Sequence, residues 1–99
     1  IVIVEINPGY PPLQRWVMDY NPNHVWQHDD YYGASLASLT ALADRLGYAL
    51  LGIEDNVVNA FFIRRDLLDI VGFPERTPEA VFRVPKYHFP HRDGPSTPL

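Results

Sequence analysis

The side chains most able to bind or activate a small molecule cluster near one predicted strand end. Glu5 and Asn7 lie at the carboxyl end of the apolar segment IVIVEI, which occupies residues 1–6. A carboxylate at Glu5 could orient a hydroxyl or an amine, or act as a base that takes its proton. The alternative, which we prefer, is a buried acid that is hydrogen-bonded to the following loop.

Three tyrosines and one asparagine are further candidates for contact with a ligand. Tyr20, Tyr31 and Tyr32 offer flat faces and hydroxyls suited to a sugar or polyketide hydroxyl, although they could equally be core aromatics. Asn59 lies within an otherwise apolar strand, so its amide must find partners if it is buried. It could touch a substrate, or it could hold the long loop in place, which we prefer.

Two groups of histidines and acids have the residue types of metal sites. The first contains an i, i+4 histidine pair and the second lies near the C-terminus: His24, His28, Asp29 and Asp30, then His88, His91 and Asp93. Neither group lies on a predicted rigid element that would hold ligands at fixed distances. We therefore predict solvated polar loops and no metal site. No serine or cysteine stands in a nucleophile elbow, so the sequence gives hydrolase chemistry no support.

These candidates must be positioned by the segment from Gly33 to Gly52. Its leucines recur at helical spacing, which predicts an amphipathic helix with one apolar stripe. Gly47 can take the left-handed conformation that ends a helix, and the mostly apolar run of residues 48–53 predicts a buried strand. Together with the strand at residues 1–6, this segment has the outline of a strand-helix-strand unit of an open α/β sheet.

A hairpin and two short helices are predicted after this unit. Residues 54–56 form a short polar turn, and Val57 to Arg64 form a strand antiparallel to its predecessor. Leu67 to Val71 form a short helical piece that Gly72 ends. A last helix over residues 78–83 is predicted from an N-cap threonine followed by proline and glutamate.

The first strand is apolar on both faces, since its alternate residues face opposite sides of a sheet. Such a strand belongs inside a sheet that helices cover on each face, in the parallel style, and one helix cannot cover both faces. The sequence therefore predicts an incomplete α/β domain whose missing N-terminal half carries the remaining strands. The alternative is that a second copy of the chain covers this surface.

The connection from residue 7 to residue 32 is long and rich in aromatic and polar side chains. Ligands bind at loops on the carboxyl edge of an α/β sheet, and long loops without regular structure are often functional. We therefore predict that this loop lines a ligand site. The alternative is that its aromatics pack on the sheet, and the acids at Asp29 and Asp30 could simply favour the positive end of the helix.

Length and composition limit the remaining possibilities. Ninety-nine residues allow one domain, which we predict over residues 1–84, followed by a mobile tail over 85–99 that has nothing to bury. A formal charge of −4 with scattered Lys and Arg argues against a nucleic-acid partner. No apolar run approaches the about 20 residues that span a bilayer, so no membrane is predicted. The lack of cysteine fits a cytoplasmic protein without proving it.

Four segments occur in order over residues 1–68: VEINP, DYNPNHVW, YYGASLASLTALADRLGYALLG and NAFFIRRDLL. Together they resemble the C-terminal half of class I S-adenosylmethionine-dependent methyltransferase-like proteins, in a branch near the FkbM-type enzymes. The specific part of the resemblance is the ordered occurrence of Y-G-A-S-L, G-Y-x-L-x-G, and N-A-F-F followed by R-x-D-L.

The resemblance implies the C-terminal part of a Rossmann-like sheet, in which a reversed last strand is inserted beside the fifth. The strand at residues 1–6, the helix and the hairpin would be strand five, helix E, and strands six and seven. The resemblance also implies S-adenosylmethionine as the cofactor of an intact parent. In that parent Glu5 and Asn7 would lie near the transferred methyl, and the acceptor would be a small molecule such as a sugar or natural-product hydroxyl.

The cofactor-binding strands of this family are missing from the chain. We therefore predict no cofactor for the fragment alone, no cofactor-binding residue within it and no assigned catalytic residue, and we expect it to be inactive. Its contribution would be the acceptor-side loop with Glu5, Asn7, Tyr20, Tyr31, Tyr32 and Asn59. The alternative function is a non-catalytic binding or assembly module of the same fold that presents the aromatic loop to a partner.

Overall fold

The computed structural model describes residues 1–87 and 89–97 as a mixed α/β arrangement with antiparallel sheets. In chain order its elements are β1 (Val2–Glu5), β2 (Val17–Met18), α1 (Leu36–Arg45), β3 (Tyr48–Ile53), β4 (Asn59–Arg64), a 3-10 turn (Arg65–Leu67), α2 (Leu68–Val71), α3 (Pro78–Val81) and β5 (Ser96–Thr97). His88, Pro98 and Leu99 lie outside the described residues.

The helix ends follow the local signals in the sequence. Ser35 caps α1, because its Oγ accepts a hydrogen bond from the Ser38 amide at 3.3 Å. Gly47 follows α1 with a φ of 81°, and Gly72 ends α2 with a φ of 74°. Thr77 caps α3 in the same way as Ser35 caps α1. The predicted helices are confirmed, although α3 ends two residues earlier than expected. No helix in residues 1–87 and 89–97 combines the length and apolar character needed to cross a membrane.

The main sheet has the order β1-β4-β3, and β4 is antiparallel to both neighbours. The predicted hairpin is therefore confirmed, with an irregularity in the register between Leu50 and Gly52. Phe62 is paired with Val2 on one side and with Leu50 on the other. Every strand pair in the described part of the chain is antiparallel, so the parallel sheet expected around β1 is not formed by these residues.

One face of this sheet carries the core. The core joins buried side chains of the sheet, α1 and α3 with two residues that lie just outside the strands: Ile6, Leu36, Leu50, Val57, Ala60, Phe62 and Val81. Each large apolar side chain buried in this way stabilises the fold by about 1.5–3 kcal/mol. The strand-helix-strand unit predicted from the sequence thus supplies most of the packing, with α1 lying on the sheet.

β1 is an edge strand with apolar side chains that the described residues do not cover. It pairs with β4 alone in those residues, and Val2 and Ile3 remain 42% and 60% exposed. Beside Val2, a groove of about 290 Å³ runs along the leucines of α1, including Leu42, and Leu46 just after the helix. We predicted that β1 needs neighbouring elements on both sides, and within the described residues it has one neighbouring strand, β4.

A glutamate organises the turn between β3 and β4. The Glu54 carboxylate accepts hydrogen bonds from the amides of Asn56, Val58 and Asn59 at 3.0, 2.8 and 3.3 Å. These bonds, led by the one from Val58, hold the pKa of Glu54 below its usual value. The buried Val57 between them has a φ of 58°, an unfavourable conformation for a β-branched residue. The carboxylate thus supports a strained turn and fixes the register of the hairpin.

A second, two-stranded sheet joins the long loop to the C-terminal segment. β2 and β5 pair antiparallel, with Val17 opposite Thr97 and Met18 opposite Ser96. Neither strand was predicted from the sequence, because two residues are too few to show any period. The segment after Pro85 that we expected to be a mobile tail therefore makes contacts with the loop. Its mobility stays a prediction, which the Gly94→Ala variant tests.

Candidate functional site

An aromatic cavity of about 470 Å³ opens beside the carboxyl end of β1. Four separate parts of the chain line it, namely β1, the long loop before α1, the turn before β4 and the C-terminal segment: Glu5, Trp26, Tyr32, Val58, Tyr87 and Phe89. We call this the aromatic cavity. Its wall contains one carboxylate and aromatic rings, a composition typical of a small-molecule site with few polar groups.

The rings of the aromatic cavity meet edge to face. Trp26 lies 5.2 Å from Phe89 and 6.2 Å from Tyr32 between ring centroids, with interplanar angles of 89° and 77°. Tyr32 and Phe89 are 6.4 Å apart at 85°, and Tyr87 contacts Phe89 at 5.5 Å. Three rings that are nearly perpendicular to one another form the corner of a box. Each such contact contributes about 0.5–1.5 kcal/mol beyond the area it buries.

Asn7 holds the loop that carries two of these rings. Its Nδ2 donates to the backbone carbonyls of Asp30 and Tyr32 at 2.8 and 2.9 Å. Its Oδ1 accepts from the amide of Gly9 at 3.0 Å. The Trp26 Nε1 donates to the carbonyl of Asp29 at 2.7 Å, so the indole is also fixed to the loop. The positions of Trp26 and Tyr32 are therefore set by hydrogen bonds as well as by packing.

The electrostatic character of the aromatic cavity favours positive charge. Burial, followed by the nearby Tyr87 and Glu5, raises the pKa of Tyr32 to about 12. Burial also raises the pKa of Tyr87, with smaller effects from Glu54 and Glu5. Both phenols therefore stay protonated and neutral at physiological pH. Within the described parts of the chain no lysine, arginine or histidine lines this cavity.

His91 joins the long loop to the C-terminal segment. Its Nδ1 lies 2.6 Å from Asp30 Oδ2, and its Nε2 lies 2.9 Å from Asp93 Oδ1. The Arg92 amide donates to Asp30 Oδ1 at 2.7 Å, and its guanidinium lies 5.2 Å above the Tyr31 ring. We call these contacts the Asp30–His91 latch. It keeps the loop side and the C-terminal side of the aromatic cavity together.

The Asp30–His91 latch is expected to weaken as the pH rises. The hydrogen bonds that the His91 ring donates to the carboxylates of Asp30 and Asp93 raise the pKa of His91. A raised pKa means that the stabilisation is complete below the unfolded value of about 6.5 and is lost as the pH passes the folded value. Amide hydrogen exchange at Arg92 should therefore lose protection as the pH rises above about 6.5 and through the raised folded pKa of His91, beyond the intrinsic rate change.

His91→Gln is the matching variant for this prediction, since glutamine keeps a hydrogen-bonding side chain that does not titrate. In this variant we expect amide exchange at Arg92 to follow only the intrinsic rate change with pH. Asp93→Asn should reduce the additional pH dependence in part. A wild-type profile in His91→Gln would contradict the assignment of the effect to this latch.

The structure brings two of the six predicted ligand contacts, Glu5 and Tyr32, into the wall of the aromatic cavity. Asn59 lies directly opposite Glu5 in the sheet register. Tyr20 is 91% exposed and lines a separate, shallow cavity that also reaches Glu5. Glu5 is itself exposed, which differs from the buried acid that we preferred.

The other two predicted contacts lie where they support the fold. Asn7 is buried and bonded to the loop, as described above. Tyr31 is buried with its ring edge against Trp16, at 5.6 Å and 81°, and its hydroxyl donates to the Pro95 carbonyl. The structure therefore places Asn7 and Tyr31 behind the cavity wall and not in it.

The predicted histidine groups have other contacts. The His28 ring lies 4.5 Å from the Trp26 ring, tilted by 48°, and His24 lies edge-on to Tyr31 at 5.7 Å. The second group cannot be described in full, because His88 lies outside the described residues. Among the residues that are described, no group of three or more His, Cys, Asp or Glu could hold a metal ion.

Tyr87 and Phe89 were not predicted from the sequence as members of a site. Residues 85–99 were expected to be a tail with nothing to bury, although Tyr87 and Phe89 form an aromatic pair in an otherwise polar segment. That pair was the signal that could have identified a packed segment. No family model, no curated protein and no solved structure matches this chain in comparisons with known proteins.

Proposed function

We propose that the chain is the C-terminal part of a class I S-adenosylmethionine-dependent methyltransferase-like domain and forms the acceptor side of its site. The observation that carries this proposal is the strand order β1-β4-β3, in which the last strand is reversed and inserted between the other two. The sequence resemblance implies this order for strands five, seven and six. The helix α1 lies between β1 and β3 in the chain, where helix E would lie.

The uncovered edge of β1 supports the same proposal. A further strand on that side would satisfy its free backbone groups and shield Val2 and Ile3. The groove beside Val2 and the leucines of α1 would be covered by the same missing half. In this proposal the N-terminal half of the parent supplies those elements, and the cysteine-free composition fits a cytoplasmic parent.

The residues present do not fit the cofactor itself. A nucleoside-binding turn needs glycines whose missing side chains leave room for the ligand. A Cβ on Gly9 would lie 3.1 Å from the Asn7 Oδ1. The space beside Gly9 is therefore occupied by the protein's own side chain and is not open to a ligand. Gly52 lies within β3 and does not open a helix. S-adenosylmethionine therefore belongs, in this proposal, to the missing half alone.

In this proposal the aromatic cavity is the acceptor site. In α/β sheets ligands occupy the crevice outside the carboxyl ends of the strands, and the cavity opens beside the end of β1. Glu5 lines it with a free carboxylate, which can orient an acceptor group or take a proton from it. The aromatic rings would exclude water from the acceptor.

Calorimetric titration of the full-length parent with S-adenosylmethionine tests the proposed function. We expect the parent to bind the cofactor, the chain of residues 1–99 alone to give no binding heat, and the reading frame upstream of Ile1 to encode a glycine-rich strand-turn-helix. A parent without that unit, or without cofactor binding, would contradict the proposal. It would leave the alternative of a binding or assembly module, which the exposed apolar groove beside Val2 and Leu46 favours.

A further inference from the structure

We propose that the aromatic cavity binds a small molecule through a methylated ammonium group, with the Glu5 carboxylate as its counter-charge. The faces of aromatic rings attract cations within about 6 Å of the ring centroid. The centroids of Trp26, Tyr32 and Phe89 are 5.2–6.4 Å from one another, so a cation seated in their corner lies within reach of all three. Tyr87 adds a fourth ring beside Phe89.

The charges around the aromatic cavity select a cation over an anion. Glu5 supplies a carboxylate, and Tyr32 and Tyr87 remain neutral phenols whose ionisation the surroundings oppose. No cationic side chain of the described residues competes for the space. An anion would meet Glu5 and the negative ring faces without any compensating donor charge.

The apolar walls select a weakly hydrated cation. A metal ion or a primary ammonium group must give up strongly bound water on entering such a cavity, which is costly without polar replacements. A methylated ammonium group keeps its charge while presenting methyl groups to the rings. The volume of about 470 Å³ falls within the about 300–1,000 Å³ that small-molecule sites occupy, so the ligand has further atoms beyond the ammonium group.

This inference deepens the proposed function and rests on it for the identification of the cavity as an acceptor site. The acceptor would be a small molecule that carries a positively charged nitrogen. Binding of the cation itself requires only side chains of this chain, so it can be measured without the cofactor.

Titration of the full-length protein with choline and with its neutral isostere 3,3-dimethylbutan-1-ol tests the inference. We expect choline to bind at least roughly tenfold more tightly than the neutral alcohol, because the two differ in charge and hardly in shape. Equal affinities, or no binding of choline, would overturn the proposal.

Variants locate the site. Glu5→Gln, which preserves shape, and Trp26→Ala should each weaken choline binding roughly 5- to 30-fold while leaving the alcohol less affected. Phe73→Ala is the matched control, since Phe73 is an exposed aromatic outside the cavity. Unchanged choline affinity in the isosteric Glu5→Gln would overturn the assigned role of Glu5, whatever the effect of Trp26→Ala on folding.

A parallel titration with S-adenosylmethionine separates the two proposals. Choline binding without cofactor binding would remove the methyltransferase function and leave the cation site. Cofactor binding without choline binding would overturn the cation site and leave the proposed function.

Discussion

Asn7→Ala is expected to lower the free energy of unfolding by about 2–5 kcal/mol. Asn7 is 1% exposed, and its side chain pairs with the carbonyls of Asp30 and Tyr32 and with the amide of Gly9. Alanine would leave the carbonyls of Asp30 and Tyr32 without this partner, and each such group costs about 1–3 kcal/mol when it stays buried, whereas the amide of the exposed Gly9 can bind water instead. Chemical denaturation followed by tryptophan fluorescence measures the loss.

Asn21→Ala is the matched control for this prediction. The Asn21 side chain also bonds a backbone amide two residues ahead, that of Asn23 at 3.0 Å, but in an exposed setting. We expect a change within about 0.5 kcal/mol. Similar losses for Asn7→Ala and Asn21→Ala would show that the three bonds of Asn7 do not hold the loop.

Gly94→Ala is expected to destabilise the protein by about 1–3 kcal/mol, because it adds a methyl group where no space exists. A Cβ on Gly94 would lie 2.7 Å from Cδ1 and Cζ of the Tyr31 ring. Tyr31 is buried against Trp16 and cannot move without disturbing that contact. Thermal unfolding should show a fall in Tm of about 4–8 °C for each kcal/mol.

The same variant decides whether residues 85–99 are a mobile tail. If the C-terminal segment is packed against Tyr31, the added methyl group must strain it; if the segment is mobile, the stability stays unchanged. Gly52→Ala serves as the control, since its Cβ would meet no atom within 4 Å. We expect that control to cost less than about 1 kcal/mol.

The parts of the fold that local sequence determines were predictable. The stripe of leucines, the capping Ser35 and the left-handed Gly47 define α1 within a dozen residues. The hairpin follows from two apolar runs that a short polar turn separates. These features depend on neighbours in the chain, so their pattern is visible without a structure.

The aromatic cavity was only partly predictable, because its wall joins distant positions. Trp26 and Tyr32 come from a loop without a period, and Phe89 comes from the far end of the chain. The sequence identified Glu5 and Tyr32 but could not show that Asn7 would turn away from the ligand side. That role depends on the carbonyls of Asp30 and Tyr32, which folding brings to the side chain from more than twenty residues away.

The two sides of the aromatic cavity come from opposite ends of the chain, and this has a thermodynamic consequence. A ligand that contacts both Trp26 and Phe89 can stay bound only while the C-terminal segment is packed against the long loop. Packing of the C-terminal segment must therefore raise the affinity for the ligand by the same factor by which bound ligand raises the equilibrium constant for packing. Saturation with the ligand should slow proteolytic cleavage within the C-terminal segment, and deletion of that segment from residue 86 onward should release the ligand.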